Sequence, residues 1–507
     1  TAHAEKKRLF GVVEWDPTAN GTLTLGGSYE WDDDRPAAQG WPLYPPGKTL
    51  PRDRPFVLPW EFDRKGRSEI YLQYRQQLAP DWNVRFNSGS WHVRETNLLA
   101  SFPDYPDMTR PMQPSVGYTG QDPLLYRMNT VDVTVTGVLN PLGMRTEVAI
   151  GADYSDFYDR AHSFGASFGP PILYPRDFAP ENYPNPLPGG PSGVYSLPQQ
   201  NWQKAYGAFA SIKTDVTDAW SVTAGARVSS DTNTSASPSP FSPYVSLGTR
   251  GAITPLASVM YRIDAHYSWY ASYADAYGTI GNSEISQGKA APPEGEKTAE
   301  TGVKGVWRNG ALNGTLALYW AAESGIPSQF DSPYPKDPGC CVVQTSSIVS
   351  QGAEIELTGE IQPGWLLATG YTYSRLASPF EGLLTFYPRH LLKFWTSKQL
   401  QGYLERWTVG GAVRALSSIE LTETTNCQFR FMGTSLIETC SPLVTKLQPA
   451  YAVVDLRAGF RIDDHWQVAL TINNALNKNY FESYGTEGSE GWYGAPRNFM
   501  VRFDGKF

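Results

Sequence analysis

Pairs of charged residues spaced two apart are the part of this sequence that most resembles an acid–base catalytic site. They are Glu354 and Glu356, Asp455 and Arg457, and Arg502 and Asp504. Two such groups on one side of a β-strand could donate and accept a proton during general acid–base catalysis. Each pair lies, however, in a run whose intervening positions are apolar. We therefore expect these side chains to face the interior of a β-barrel and to form salt bridges there with a plug that fills its lumen.

The remaining polar residues do not form the pattern of an enzyme. The chain has 6 histidines, which are scattered and lack metal-ligand spacing. It contains neither a nucleophile motif nor a phosphate-binding loop. A formal net charge of −8 argues against nucleic acid as a partner. We predict no catalytic residue, no metal site, no intrinsic cofactor and no enzymatic activity.

The 4 cysteines fall in segments that we predict to be loops. Cys427 and Cys440 are close enough in sequence to close a loop by a disulfide, which indicates an oxidising compartment. Metal binding is the weaker interpretation, because no histidine lies nearby. The sequence leaves open whether Cys340 and Cys341 bond to each other, to other loops or to nothing.

The elements that must position these residues are strands, because hydrophobicity alternates with a period of two. At the end of the chain, Phe499, Val501, Phe503 and Phe507 fall on one side and polar residues fall on the other. Segments 454–460 and 466–472 alternate in the same way. Such alternation marks strands with one apolar and one polar side. A membrane β-barrel needs this pattern, with lipid outside and water or protein inside.

Tight turns and long loops alternate along the chain, as in an outer-membrane barrel. Within the 507 residues we predict about 19 strands, among them segments near 67–79, 82–95 and 124–139, and long loops such as 159–201 and 418–447. The predicted fold class is all-β, a transmembrane antiparallel β-barrel. Single-chain bacterial barrels have even strand numbers, so we expect 22 strands, with the first three outside this chain. Strands 8–15 and 498–507 would then be unpaired edges.

Aromatic residues recur just after the tight turns. They are Trp82, Trp220, Tyr267, Trp365, Trp407 and Trp466. Rings at one height on successive strands are typical of the aromatic girdle at the periplasmic membrane surface.

Two segments near the end of the chain carry a family resemblance. Residues 473–480 (NNALNKNY), followed by Tyr484 and Gly485, resemble the segment before the last strand of TonB-dependent outer-membrane receptors. Residues 494–499 (GAPRNF) resemble their final strand. Other matching stretches are 293–294, 300–305, 351–356, 370–373 and 388–390. Residues 2–7 are similar to the second outer loop of the ferric-siderophore subgroup, which includes the coprogen and pyoverdine receptors.

The resemblance covers essentially the whole chain and implies both a domain and a function. Residues 1–507 would be the barrel domain of a multi-pass protein of the bacterial outer membrane, without the plug, the energy-coupling box and the first three strands. The implied receptor binds a ferric siderophore, its transported ligand, at the cell surface. The TonB complex acts through the plug to drive import. Outer-membrane lipid and lipopolysaccharide are further expected partners.

Ferric siderophores are small, rigid and partly apolar, so aromatic faces and a few donors suit them. Our candidate ligand-binding residues are aromatic residues in long loops or at inward positions near strand tops. They are Trp91, Trp60, Trp41, Tyr44, Tyr118 and Tyr319. Trp91 shares its side of the strand with Arg85 and Asn87, whereas Tyr371 and Tyr373 are in phase with the lipid-facing side.

The sequence is also compatible with other functions. A passive porin-like channel predicts roughly 16 or 18 strands and an open lumen. TonB-dependent uptake of a different ligand would use the same barrel. A secreted carbohydrate-binding protein or glycosidase predicts a soluble β-fold with a carboxylate pair beside a groove.

Overall fold

The computed structural model consists almost entirely of antiparallel β-strands. It describes residues 3–35, 41–42, 58–101, 116–168, 194–195, 199–236, 245–278, 284–286, 289–290, 293–328, 343–378, 382–385, 387–424, 427–432, 435–440, 443–484 and 490–506. In these segments the helices are single 3₁₀ turns at Pro141–Gly143, Arg308–Gly310 and Gly402–Leu404. Across the same segments, no helix combines the length and the apolar character required to cross a membrane.

Nineteen strands follow one another along the chain. They are β1 His3–Thr18, β2 Gly21–Arg35, β3 Phe62–Ala79, β4 Trp82–Ser101, β5 Val116–Leu139, β6 Thr146–Ala161, β7 Gln199–Asp215, β8 Trp220–Ala236, β9 Ala252–Arg262, β10 Tyr267–Gly278, β11 Glu294–Trp307, β12 Leu312–Ser328, β13 Val343–Gln362, β14 Trp365–Ser378, β15 His390–Gln399, β16 Trp407–Leu416, β17 Tyr451–Arg461, β18 Trp466–Asn473 and β19 Asn498–Gly505.

These strands form one continuous sheet in which each strand pairs antiparallel with the next. Four short additions bring the sheet to 23 strands. They are Ser163–Phe168, Val194–Tyr195, Val245–Leu247 and Gly382–Leu383. The prediction of about 19 wall strands is confirmed.

The two ends of the sheet lie close together. Among the residues described, β1 pairs only with β2, and β19 pairs only with β18, so both are edges as predicted. The loop after β2 meets the loop after β18, because Trp41–Pro42 pairs with Glu490–Tyr493, which in turn pairs with Phe481–Tyr484. This contact between the first and the last outer loop requires the sheet to be rolled.

The strand register assigns every wall residue to one of two faces. Val84, Val135 and Ile150 lie opposite one another on the apolar face. The residues on this same face can be followed from strand to strand through the paired registers. On β19 they are Val501 and Phe503. We call this the outward face, because an apolar surface in a membrane barrel contacts lipid. The predicted alternation of β19 is therefore continuous with the apolar belt of the whole wall.

The strands extend further from the membrane than the sequence pattern predicted. β3 begins at Phe62 instead of near 67, β4 continues to Ser101 instead of 95, and β5 begins at Val116 instead of 124. Beyond the lipid, both faces of the sheet contact water. The alternation of apolar and polar residues is therefore lost there, although the backbone hydrogen bonds between strands continue. Segment 418–447, predicted as a loop, likewise contains the paired strands Ile419–Thr424 and Leu443–Gln448.

Three tight turns, at 216–220, 263–267 and 462–466, share one hydrogen-bonded geometry. In the last of these, Asp463 Oδ1 accepts hydrogen bonds from the backbone N–H groups of His465 and Trp466, at 2.8 Å each. Asp264 and Thr217 occupy the equivalent positions in the other two turns. Side-chain capping of this kind fixes a turn and satisfies its orphan donors. The aromatic residue that follows each turn is thereby held at the start of its strand.

The two backbone donors lower the pKa of the Asp463 carboxyl from its ordinary value. The stabilisation is therefore present above the unfolded pKa of about 3.9 and is lost as pH falls through the lower folded value. We expect Asp463→Ala to lower the free energy of unfolding at pH 7, with a difference from wild type that shrinks below about pH 4. Urea unfolding in detergent micelles, followed by tryptophan fluorescence, measures this difference. The control is Asp464→Ala in the same turn, and an equal effect of both variants would contradict the capping role.

The girdle residues predicted from the sequence lie at the lower ends of the strands on the outward face. Several make ring contacts with a neighbour. Centroid distances are 4.5 Å for Trp220 and Tyr261, 4.9 Å for Trp407 and Phe460, and 5.0 Å for Trp466 and Phe503. Other rings lie across a glycine of the adjacent strand. A Cβ built at Gly137 would come within 2.3 Å of the Trp82 ring, so only glycine allows this ring to lie flat on the wall.

We expect Gly137→Ala to destabilise the barrel by about 1–3 kcal/mol, because the added methyl group overlaps the Trp82 ring. Gly370→Ala is the matched control, since a Cβ at Gly370 meets no atom within 4 Å. Urea unfolding gives the two free energies, and the shift of native gel mobility on heating confirms folding. Equal stabilities would show that the Trp82 ring moves aside without cost.

Candidate functional site

Near the outer end of the wall, the inward face of β1, β2 and β3 carries alternating charges. Lys6 Nζ lies 3.4 Å from Glu30 and 3.5 Å from Asp32. Arg67 lies 2.7 Å from Glu30 and 3.6 Å from Asp32. Asp32 is only 3% exposed, and these two cations are its ion-pair partners. Lys65 extends the network toward β4.

Beside these charges, β4, β5 and β6 present an apolar surface to the interior. Trp91 lies opposite Met128, which lies opposite Phe157. The rings of Tyr126 and Phe157 stack with centroids 6.0 Å apart. Trp91 is 37% exposed. We call these four residues the inner platform. An open ring surface next to fixed charges can hold a ligand that is partly apolar and partly charged.

A second inward cluster joins β16 and β17 to the last outer loop. Arg414 Nη2 donates to the Tyr480 hydroxyl at 2.9 Å, and Nη1 donates to Glu482 at 3.3 Å. The rings of Tyr451 and Tyr480 stack with centroids 4.4 Å apart. Both tyrosines are buried. The start of this loop is therefore fixed against the wall.

The motif at 473–480 has a structural explanation in Asn474, which is 3% exposed and has a φ of 48°. Its backbone N–H donates to Asp455 at 2.7 Å, and its side chain donates to the carbonyls of Lys478 and Ala495 at 2.8 and 2.9 Å. Asparagine is one of the few residues that tolerate a positive φ. The motif therefore connects the ends of β17 and β18 to the approach of β19.

Two of the candidate binding residues, Trp91 and Tyr319, face inward as predicted. Trp91 belongs to the inner platform and lies midway along β4, which spans Trp82–Ser101. Tyr319 lies on β12, where its hydroxyl would be 2.8 Å from a Cβ placed at Gly352. Its ring is packed against the wall, lower and eight strands away. The structure does not bring these two residues together.

Trp60, Trp41 and Tyr118 lie in or near the outer loops. Trp60 is half-buried in the turn before β3, where the backbone N–H of Leu58 donates to Glu61 at 2.6 Å. Trp41 pairs through its backbone with Gly491, as described above. Tyr118 was predicted to precede its strand but lies within β5, which starts two residues earlier. The side chains of Trp41 and Tyr118, and the whole of Tyr44, fall outside the described residues.

The charged pairs that resembled acid–base sites make structural contacts within the barrel wall. Arg502 lies 2.7 Å from Asp504, Glu354 accepts a hydrogen bond from Thr372 at 3.4 Å, and Asp455 caps Asn474. All six face inward, as predicted, whereas Tyr371 and Tyr373 face outward. The partners of these residues are strand backbones and neighbouring side chains, so the role of the pairs is structural.

Sequence reasoning missed Tyr126, Phe157, Arg414 and Tyr480. Tyr126 and Phe157 could have been found by continuing the alternation of inward and outward residues along both strands from the turn at Pro141–Gly143. That alternation places both residues on the same face as Trp91. Arg414 and Tyr480 are 66 residues apart, and no sequence signal indicated their contact.

The two cysteines of the predicted disulfide fall in a two-stranded hairpin. Cys427–Met432 pairs with Ser435–Cys440, and Cys427 stands directly opposite Cys440. Cys340 and Cys341 lie outside the described residues.

Comparison with known proteins identifies the family of this barrel. The sequence profile described as "TonB dependent receptor-like, beta-barrel" matches residues 10–475. The chain belongs to the TonB-dependent receptor family. The family consists of outer-membrane transport receptors and not of enzymes, so the predicted family, location and lack of enzymatic activity are confirmed.

Relatives of this receptor barrel include two ferric-pyoverdine receptors. The ferric-pyoverdine M114 receptor PbuA of Pseudomonas sp. (strain M114) is 28% identical over 98% of this chain and 60% of its own length. The ferric-pyoverdine 358 receptor of Pseudomonas putida is 27% identical over 98% of this chain and 59% of its own. The chain thus spans about three fifths of these relatives.

The crystal structure of the ferripyoverdine receptor of the Pseudomonas aeruginosa outer membrane has the same fold. It superposes with a TM-score of 0.84 over 100% of this chain and 65% of its own, at 22% identity.

In this receptor barrel, we expect Arg414→Met to release the start of the last outer loop, because methionine keeps the packing stem but lacks the donors to Tyr480 and Glu482. Limited trypsin digestion of the protein in outer membranes should cleave faster after Lys478. Arg85→Met, an exposed inward position on β4, is the control. Unchanged cleavage in the Arg414 variant would show that ring stacking alone holds the loop.

Proposed function

We propose that residues 1–507 form the barrel domain of a receptor that binds a ferric siderophore at the cell surface and imports it with TonB-supplied energy. The observation that carries this proposal is a likeness to ferric-pyoverdine receptors extending over 98% of the chain. No intrinsic cofactor is required, since the iron complex is cargo.

In this proposal the wall is completed by three further strands of the same protein, between β1 and β19. Both edges carry apolar side chains on the outward face, among them Leu9 and Val13 on β1 and Phe499 and Val501 on β19. In lipid an unpaired strand edge is costly, because its backbone groups have no other partner. A plug inside the wall would contact the inward charges and transmit the action of TonB.

The inner platform supports binding of a rigid, partly apolar iron chelate. Trp91 offers an exposed ring face, and the Lys6–Arg67 network supplies fixed charges next to it. Trp60 and the backbones of Trp41 and Tyr118 lie at the outer end of the wall, and we include these residues in the proposed site. Tyr44, which falls outside the described residues, is included on its sequence position alone. Tyr319, being lower on β12, would contact a ligand later on its path.

A passive porin-like channel is less well supported. It predicts 16 or 18 strands, whereas the wall has 19 with two edges among the described residues. Uptake of another ligand through the same TonB-dependent mechanism is the alternative that an uptake assay must separate from siderophore import.

We also propose a disulfide between Cys427 and Cys440, supported by their opposed positions in the hairpin. It would fix an outer loop in the oxidising environment outside the cell.

We expect Trp91→Ala to weaken binding of a ferric pyoverdine by about ten- to a hundred-fold, as loss of a central aromatic contact does. Fluorescence titration in detergent measures affinity, and uptake of iron-labelled siderophore by cells with and without TonB measures import. Trp395→Ala is the control, because Trp395 also faces inward but lies near the lower end of β15. Equal affinities of wild type and the Trp91 variant would contradict the proposed site, and TonB-independent uptake would contradict the proposed function.

A further inference from the structure

The dipeptide Asn-Gly occurs three times in this chain, as Asn20-Gly21, Asn309-Gly310 and Asn313-Gly314. In such a dipeptide the backbone nitrogen of the glycine can attack the side-chain amide of the asparagine, because glycine has no side chain to block the approach. The reaction converts asparagine into aspartate or isoaspartate. The three copies share the same reacting groups but have different surroundings in the fold, so the structure predicts which of them reacts.

Asn309 and Gly310 form the tip of the short turn between β11 and β12. The strand pairing ends at Trp307 and Leu312, so the turn lies outside the ladder of the sheet. Arg308, Asn309 and Gly310 have positive φ values of 56°, 54° and 90°. Asparagine and glycine adopt this left-handed conformation readily, which makes Asn-Gly a common pair in tight hairpin turns. Both residues are exposed.

The surroundings of Asn309 leave the reaction unobstructed. Within the described part of the chain, its side chain forms no hydrogen bond. A Cβ built at Gly310 would meet no atom within 4 Å, so open space surrounds the glycine. Hydrogen bonds within the turn involve other atoms. The backbone N–H of Ala311 donates to the Arg308 carbonyl at 3.2 Å, and Asn313 Nδ2 donates to the Gly310 carbonyl at 2.9 Å.

Asn20 and Gly21, by contrast, are enclosed by their neighbours. The carbonyl of Asn20 accepts hydrogen bonds from the backbone N–H of Gln77 at 2.9 Å and from Gln76 Nε2 at 3.2 Å. Gly21 is buried and belongs to β2. A Cβ built there would lie 2.4 Å from Gln76 Oε1. The peptide group between Asn20 and Gly21 is therefore held in place.

Asn313 and Gly314 lie inside the sheet. Both residues pair with β11 on one side and with β13 on the other. A Cβ built at Gly314 would lie 3.0 Å from the Trp307 ring. Rotation of the peptide group between Asn313 and Gly314 would break backbone hydrogen bonds of the ladder, which raises the barrier to attack.

We propose that Asn309 is a site of spontaneous deamidation in the folded receptor barrel. The Gly310 nitrogen forms a bond to Asn309 Cγ, the bond between Cγ and Nδ2 breaks, and ammonia leaves with the proton of the Gly310 amide. Water then opens the resulting succinimide ring at either carbonyl, which gives aspartate or isoaspartate. No electrons are transferred, and water is the only other reactant.

The product differs from asparagine in both charge and backbone length. Deamidation places a carboxylate next to Arg308, whose guanidinium donates a hydrogen bond to the Ile361 carbonyl in the neighbouring turn. Isoaspartate also adds one carbon atom to the backbone. The reaction thus alters a turn that is in direct contact with the next turn along the lower end of the wall.

The test incubates the folded protein in detergent, in a mildly alkaline buffer made with heavy-oxygen water. Every carboxylate that forms during the incubation then carries the isotope. Peptide mapping by tandem mass spectrometry gives the rate at each asparagine. We expect Asn309 to react at least about tenfold faster than Asn20 and Asn313. In a matched sample unfolded in urea, the three rates should become similar, because the fold no longer distinguishes the sites.

The variant Asn309→Gln serves as the control for the site, because glutamine would have to close a larger and less favourable ring. It should lack the fast labelling, and the heat-dependent gel shift of the variant shows that the barrel is folded. Equal rates at the three asparagines of the folded wild type would overturn the proposal. So would faster labelling at Asn20 or Asn313, or fast labelling that persists in the Asn309 variant.

Discussion

The wall depends on one constraint, which is that every backbone N–H and C=O within the lipid must find its partner in a neighbouring strand. A buried group left without a hydrogen bond costs several kcal/mol. Each pairing therefore remains in register over most of its length, and the register shifts lie near strand ends or, between β4 and β5, in the outer part of the wall. Because register conserves parity, the facing of a residue on β4 determines the facing of residues on all the other strands.

The fold could be predicted wherever this constraint produces an alternation of apolar and polar side chains along a strand. Strand number, turn positions, the girdle and the facing of Trp91, Tyr319 and Tyr371 all followed from a period of two. The outer halves of β3, β4 and β5 were not predictable in this way, because water on both faces removes the alternation while hydrogen bonding continues. The contact of Arg414 with Tyr480 depends on how the last loop folds back, which no local pattern encodes.

In the outer part of the barrel wall, the inward and outward faces carry different arrangements of charged residues. The inward side alternates acids and bases at short distances, as with Lys6 and Glu30, so that it is polar yet nearly balanced. The outward side of the same strands concentrates arginine beside aromatic rings, as where Arg127 lies over the ring of Tyr158. A single set of strands thus presents different electrostatic surfaces to the interior and to the membrane, because adjacent residues point in opposite directions.

The pairing of Trp41 with Gly491 has a consequence for the order of folding. It joins segments separated by almost the entire chain, so its loop-closure entropy can be recovered only after the hairpins between them have formed. Hairpins closed by local turns such as 462–466 need no such delay. We therefore regard the meeting of the first and the last outer loop as a late event in assembly, one that reports when the curvature of the growing sheet has become complete.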